Sequence, residues 1–157
     1  MPNTSEQTFY SQLSRFHRLY SKALAMRLEP YTVRPGYLNI LAVLWEQDNI
    51  TQKELKSHLD IEQATLSNTL KRMERDDIIS RVPNKKDRRH TFIRLTDRGT
   101  SLKPLVAEAI DDLRSVANKG LTINDRRYFK RIMRQMSDHL ESDLSDPLFV
   151  LLDEVSD

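Results

Sequence analysis

Two short stretches of this 157-residue chain carry side chains suited to a nucleic-acid surface. In Gln63-Ala-Thr-Leu-Ser-Asn68, the amides of Gln63 and Asn68 can bond bidentately to an adenine edge. Ala64 and Thr65 can meet a thymine methyl and are small enough for close approach. Lys71, Arg72 and Arg75 follow at spacings that suit phosphates, which set register and affinity without specifying sequence. The second stretch, Asn84-Lys-Lys-Asp-Arg-Arg89, puts four cations (Lys85, Lys86, Arg88 and Arg89) into six residues. On an exposed hairpin, such a tip can cross a phosphate backbone and insert one guanidinium into a narrow, electronegative minor groove. A solvated turn would carry the same charges, so the reading depends on the elements that hold the two stretches.

Those elements follow from hydrophobic spacing. Phe9, Leu13, Phe16, Tyr20 and Leu24 step by three or four, predicting a helix over about Ser5–Leu28 that ends before Pro30 and Pro35. A second helix follows Pro35 with Leu38, Leu41, Leu44 and Trp45 inward, and stops near Asp48. Thr51-Gln-Lys-Glu54 has the form of a capping box, opening a short helix with Leu55 and Leu59 inside. After a tight break, a helix over about Glu62–Arg75 buries Leu66, Leu70 and Met73. At 100° per residue this leaves Ala64, Asn68, Lys71 and Arg75 on the far face, with Thr65 and Arg72 beside them.

The period then shortens. Ile78–Val82 and Thr91–Leu95 are short and β-branched and flank Pro83–His90, predicting a two-stranded hairpin with a long basic tip. Thr96 can cap a further helix carrying Leu102, Val106, Ala109, Leu113 and Val116 and ending at Gly120, with Pro104 expected to kink it or restrict its first turns. Thr122-Ile-Asn-Asp125 caps a last helix with Phe129, Met133, Met136 and Leu140, which Pro147 interrupts before the apolar segment Leu148–Leu152. The expected class is mainly α with a small β wing: a winged helix-turn-helix whose second helix enters the major groove, flanked by N- and C-terminal helices. Three regions follow: residues 1–30, residues 34–98 for the winged domain, and residues 99–157.

Composition narrows the chemistry. No cysteine is present, which excludes disulfides, thiolate chemistry and Cys-based metal sites. His17, His58, His90 and His139 include no pair spaced three or four apart; no metal site, no cofactor and no catalytic residue is expected, and no phosphate-loop or His-Glu-x-x-His motif occurs. No apolar run reaches membrane-spanning length, and Met1–Tyr10 lacks the pattern of a signal peptide, so a soluble cytoplasmic protein without a membrane partner is expected. The formal net charge of +2 conceals a partition. Lys71–Arg98 holds ten Lys/Arg against five acids, whereas Ser137–Asp157 holds seven acids and no Lys or Arg.

The stretch Leu55–Gly99 resembles the multiple-antibiotic-resistance regulator (MarR) family of bacterial transcription factors. The matching segments are Ala64-Thr-Leu-Ser-Asn68, Met73-Glu74, Ile78-Ile-Ser-Arg81, Asp87-Arg-Arg89 and Leu95-Thr-Asp-Arg-Gly99. The resemblance implies that Gln63–Arg72, Ser67 included, is a recognition helix. It also implies that Arg89 enters the minor groove and that Asp87 orients the wing. Where the family usually has glycine before the wing strand this chain has Asp77, a residue that tolerates a left-handed backbone.

The resemblance further implies a homodimer built by the first and last helices. Phe9, Phe16, Leu102, Val106, Leu113, Met136 and Leu140 support it as more apolar surface than a domain of this size covers alone. Two-fold symmetry then predicts a pseudo-palindromic DNA operator with half-sites about 34–36 Å apart, or a multiple of that. Many family members release DNA on binding a small aromatic or anionic effector, for which Phe16, His17, Tyr20 and Tyr37 are the candidate lining. The expected function is a ligand-relieved repressor. The alternative is a winged-helix adaptor whose basic wing docks an acidic protein, but the short polar residues Gln63, Thr65 and Asn68 favour DNA over such a partner.

Overall fold

The structure, a computed structural model, describes residues 4–145. Pro147, Leu148–Leu152 and most of the acidic end lie outside the described residues. The chain divides into two compact units, Met1–Arg114 and Ser115–Asp157.

In the first unit, α1 (Thr4–Leu28) is followed by a 3-10 turn, Glu29–Tyr31, and by a second one, Pro35–Tyr37, that leads directly into α2 (Leu38–Glu46). Pro30 and Pro35 each sit in the first positions of a 3-10 turn, where the missing amide costs no helical bond. The strand β1 (Ile50–Thr51) runs straight into α3 (Gln52–Ser57). Thr51 is its N-cap, with Oγ1 accepting from the Glu54 amide while the Glu54 carboxylate takes the Thr51 amide, the reciprocal pair that the sequence predicts. Next come α4 (Gln63–Arg75), β2 (Ile79–Pro83), β3 (Thr91–Leu95) and α5 (Asp97–Ala117).

The sheet corrects the expected two-stranded hairpin, because it has three antiparallel strands in the order β1-β3-β2. Ile50 pairs with Ile93 and Thr51 with Phe92, while β2 runs along the other side of β3 from Ile79↔Leu95 to Pro83↔Thr91. Two residues are too few to establish a period of two, and Thr51 already reads as a helix cap. The strand β2 also starts one residue later than expected: Ile78 lies in the turn, fully buried, and its carbonyl oxygen accepts from the Thr96 amide at 3.0 Å.

One apolar core gathers Leu28, Val33, Tyr37, Ile40, Leu41 and Leu44 from the first half with Leu55, Leu66, Leu70, Met73, Ile78 and Ile93 from the winged part and Leu102, Val106 and Ala109 from α5. Fully burying each such aliphatic side chain contributes about 1.5–3 kcal/mol relative to exposure. Leu102, Val106 and Leu113 are therefore ordinary core here, not surplus surface, whereas Phe9, Phe16, Met136 and Leu140 are exposed. Val116, expected on the interior stripe of α5, is 59% exposed. The helix α5 continues through Pro104, which lies on its exposed face. In the second unit, α6 (Ile123–Leu144) starts at a capping box in which Thr122 and Asp125 exchange bonds, and Gly120 precedes it with φ 80°.

Of the three glycines, only Gly99, in the first turn of α5, has no room for a side chain. A Cβ there would overlap the Ile78 carbonyl oxygen and crowd Leu95. The Gly99 amide donates to Thr96 Oγ1 at 3.0 Å and its carbonyl accepts from Trp45 Nε1 at 3.0 Å, so the backbone cannot retreat without breaking both bonds. Gly99→Ala is expected to lower unfolding free energy by about 2–3 kcal/mol in a urea titration, with an unchanged m-value.

Candidate nucleic-acid interface

The helix α4 begins without a side-chain cap, since Glu62 occupies the N-cap position in an extended conformation and makes no capping bond. Its orientation comes from burial of Leu66, Thr69, Leu70 and Met73, with Thr69 Oγ1 donating back to the Thr65 carbonyl at 2.8 Å. The opposite face exposes Gln63, Ala64, Thr65, Asn68, Lys71 and Arg72, and Arg75 is likewise exposed while pairing with Asp76 at 3.3 Å. Ser67 differs from these. It is half-buried and accepts from Gln52 Nε2 at 2.9 Å, tying α3 to α4 and keeping its own hydroxyl proton free to donate.

The hairpin tip is organised by its two short polar side chains. Asn84 Oδ1 accepts from the Lys86 amide and Asp87 Oδ1 from the Arg89 amide, both at 3.0 Å, and the Asn84 amide closes on the His90 carbonyl at 2.9 Å. The Asp87 carboxylate also lies 3.5 Å from His90 Nε2 and 3.9 Å from Arg89 Nε. These bonds shape the backbone and leave the cations outward. Lys85, Lys86, Arg88 and Arg89 are all exposed, the Arg89 side chain by 92%. The carboxylate of Asp87 thus acts on the turn, as the resemblance implies. Arg81 in β2 lies 3.0 Å from Glu74 Oε2 in α4, an ion pair not aligned as a hydrogen bond, joining the hairpin to the helix beside it.

The C-terminus of α4 is held from three sides. Asp76 Oδ2 accepts from the buried Tyr37 hydroxyl at 2.7 Å. The Arg98 guanidinium spans the Asp76 and Tyr31 carbonyl oxygens, at 3.3 and 2.6 Å. Thr96 Oγ1 donates toward the Asp77 and Ile78 carbonyls, at 2.7 and 3.1 Å. Between them Asp77 takes φ 57°, the left-handed backbone expected where the family usually has glycine. Burial alone would raise the Asp76 carboxyl, but hydrogen bonds from Tyr37 and Arg75 and the fields of Arg75 and Arg34 outweigh it and hold it below the usual carboxylate range. Burial first, then the bond to Asp76, pushes the Tyr37 phenol up to about 12.

This placement corrects one expectation: Tyr37 is 1% exposed with its hydroxyl committed, so it lines no effector cleft. Phe16 and Tyr20 lie ring to ring at 5.7 Å on α1, and His17 is exposed there. A groove of about 530 Å³ opens lower on the same helix, lined by Lys22, Ala25, Met26, Glu29, Thr32, Val33, Arg34 and Pro35, and includes none of the four. Gln52, Glu74, Arg81, Asp76 and Arg98 are the positioning residues that sequence reasoning missed. Gln52, Asp76 and Arg98 act through contacts between segments far apart in the chain, and Glu74 and Arg81 pair across the turn between α4 and β2; neither kind of contact leaves a periodic trace. Among the described residues, no three His, Asp or Glu side chains cluster to hold a metal ion, and no helix is long and apolar enough to cross a membrane.

Residues 35–91 match the sequence model of the MarR family. TtmR, a transcriptional regulator of the helix-turn-helix type from Methylorubrum extorquens, is 33% identical over 135 residues, covering 85% of this chain and 65% of its own length. The chain belongs to the MarR family. The family match runs from the second 3-10 turn to the first residue of β3, so it includes α4, β2 and the whole hairpin tip. MgrA, a transcriptional regulator of the helix-turn-helix type from Staphylococcus aureus, is 29% identical over 119 residues, 74% of this chain and 79% of its own. Reduced AbfR, solved bound to DNA, superposes with a TM-score of 0.65 and 26% identity over 87% of this chain and 93% of that one.

The Tyr37–Asp76 bond makes a signed prediction. Tyr37→Phe removes the donor to a carboxylate and is expected to lower stability at pH 7 by about 1–3 kcal/mol. Because the folded phenol ionises near 12 and the unfolded one near 10, the wild type holds this contribution below pH 10 and loses it as pH rises from 10 to about 12. Urea titrations across that interval are expected to show the loss in wild type and not in the variant.

Proposed function

We propose that this MarR-family regulator binds double-stranded DNA as a homodimer, with α4 in the major groove and the β2–β3 tip in the minor groove of each half-site. The observation that carries the reading is the exposed polar face of α4 beside a cationic tip whose backbone is pre-shaped by Asn84 and Asp87. A tip ordered before binding loses little conformational entropy on binding. The DNA-bound structure of AbfR supports the same use of a related chain. Gln63, Ala64, Thr65, Asn68 and the free hydroxyl proton of Ser67 meet base edges or nearby phosphates, while Lys71, Arg72, Lys85, Lys86 and Arg88 meet phosphates and Arg89 enters the minor groove. Residues 1–30 and 99–157 supply the dimer contacts. The exposed apolar side chains of α1 and of α6, such as Leu13, Phe16, Met133 and Met136, support that assignment.

A ligand-relieved repressor is the regulatory form of this proposal. The groove beside the end of α1 supports it: Ala25, Met26, Val33 and Pro35 offer an apolar floor, and Lys22 and Arg34 offer cations for an anionic group. A ligand there can act only through different affinities for the DNA-competent and incompetent arrangements of the dimer.

Three substitutions test the contacts in a gel-shift titration. Arg89→Ala is expected to weaken operator binding about tenfold or more, leaving the circular dichroism spectrum and the dimer unchanged. Lys86→Ala should weaken binding to all sequences alike and reduce the salt slope by about 1. Asn68→Ala should relax the preference at one base pair, at a cost of about 1–3 kcal/mol. Wild-type affinity in the Arg89 variant would remove the wing from the interface.

A further inference from the structure

Ser67 departs from the ordinary behaviour of a hydroxyl on a helix. Thr69, Ser101 and Ser142 each donate back to the carbonyl four residues earlier, at 2.8, 2.8 and 3.0 Å, so their protons are spent inside their own helices. Ser67 instead accepts from Gln52 Nε2 at 2.9 Å, and its own proton meets no acceptor among the described residues. Gln52 is placed for this task by what precedes it. It is the first residue of α3, directly after Thr51, whose capping box with Glu54 sets the start of the helix and whose backbone pairs with Phe92 in β3. Its amide therefore crosses to α4 from a backbone tied to the sheet. The donated hydrogen occupies one lone pair of Ser67 Oγ and holds the oxygen on the α3 side, which leaves the hydroxyl proton for an acceptor outside the helix. Hydrogen bonds in series polarise one another, so an oxygen that accepts from an amide is itself a better donor.

The position of Ser67 points to the kind of acceptor. At 100° per residue it lies on one ridge with Gln63 and Lys71, about 40° from each, along the flank of α4 that meets α3. In a helix-turn-helix the second helix lies in the major groove while the first crosses the phosphate backbone, so this flank is the one nearest the strand that α3 crosses. Half-buried Lys56, one turn after Gln52, and exposed Lys71, one turn after Ser67, put a cation on each helix beside the pair. A phosphate oxygen accepts and never donates. A hydroxyl can meet it only with the proton outward, which is the orientation that Gln52 leaves open.

We infer that Gln52 is a positioning residue for DNA binding: by donating to Ser67 Oγ it makes the Ser67 hydroxyl a dedicated donor to one backbone phosphate of each half-site. The inference rests on the DNA reading proposed above, and it selects a phosphate from the base edges and phosphates open to Ser67 there.

A double-mutant cycle in the full-length chain tests it, on a duplex enriched from a random pool by the wild type. Gln52→Met keeps the side-chain length and helix preference but cannot donate, and Ser67→Ala removes the hydroxyl. In gel-shift titrations Ser67→Ala is expected to weaken binding about tenfold and Gln52→Met about threefold or more, whereas adding Gln52→Met to Ser67→Ala should cost less than about twofold further. The second readout is a set of the same duplexes carrying one methylphosphonate per half-site, which removes the charge and one acceptor oxygen at a single phosphate. At one position the wild type should fall toward the affinity of Ser67→Ala, and Ser67→Ala should fall no further. Wild-type affinity in Gln52→Met, or equal losses from it in both backgrounds with an unchanged circular dichroism spectrum, would overturn the positioning role. A Ser67→Ala loss that persists at every methylphosphonate position would overturn the phosphate contact whether or not Gln52→Met folds, and so would a changed base preference in Ser67→Ala, which would assign the hydroxyl to a base edge. A wild type that enriches no duplex would remove the DNA reading itself, a failure separable from that of the Gln52–Ser67 pair.

Discussion

The largely covered carboxylate of Asp76 and the bonded carbonyl groups of Asp76, Asp77 and Ile78 beside it are the point on which the rest of the winged unit depends. A recognition helix is useful only if its exposed face is presented at a fixed angle, and α4 has no capping side chain at its start to fix that end. It is instead anchored at its finish. Tyr37 reaches it from the turn before α2, and Arg98 and Thr96 reach it from the start of α5. The segments leading toward the two chain termini therefore converge on the last turn of the helix proposed to meet DNA. An ionised carboxylate this poorly solvated persists because the phenol and two arginines compensate for its lost hydration, and removing one partner exposes the full cost.

This anchorage explains a division of labour between residues. Those that hold the interface in place are buried or paired: Tyr37, Asp76 and Arg98, the Arg81–Glu74 ion pair that binds hairpin to helix, and Gln52 on Ser67. Those proposed to touch DNA bury little and are free to meet a polyanion, with the Arg89 guanidinium almost fully in solvent. Gly99 belongs to the first group despite having no side chain, because the close approach of α5 to the Ile78 carbonyl leaves no room for one.

Much of this was legible in the sequence wherever the cause is local. Both capping boxes, at Thr51 and Thr122, are four-residue signals and form as expected. The inward stripe Leu66, Leu70 and Met73 needs only a period of 3.6, and the hairpin only a change of period with polar residues between. What escaped depends on distance along the chain. The strand β1 has two residues and exists only because β3 offers it an edge. Tyr37 reads in sequence as an aromatic with a polar tip, suited to a ligand cleft; its partner lies 39 residues away, and nothing in its neighbours announces it. The apolar residues of α5 and α6 look alike as patterns, yet Leu102 and Val106 are core while Met136 and Leu140 face outward, a difference set by tertiary packing alone.

Selection of bound sequences from a random pool of double-stranded DNA by the full-length protein is the most direct test of the account. A two-fold dimer presenting two anchored copies of α4 predicts enrichment of an inverted repeat whose half-site centres lie about one helical turn, 34–36 Å, or a multiple of it apart. Enrichment of a single asymmetric half-site, or no enrichment above the starting pool, would contradict it.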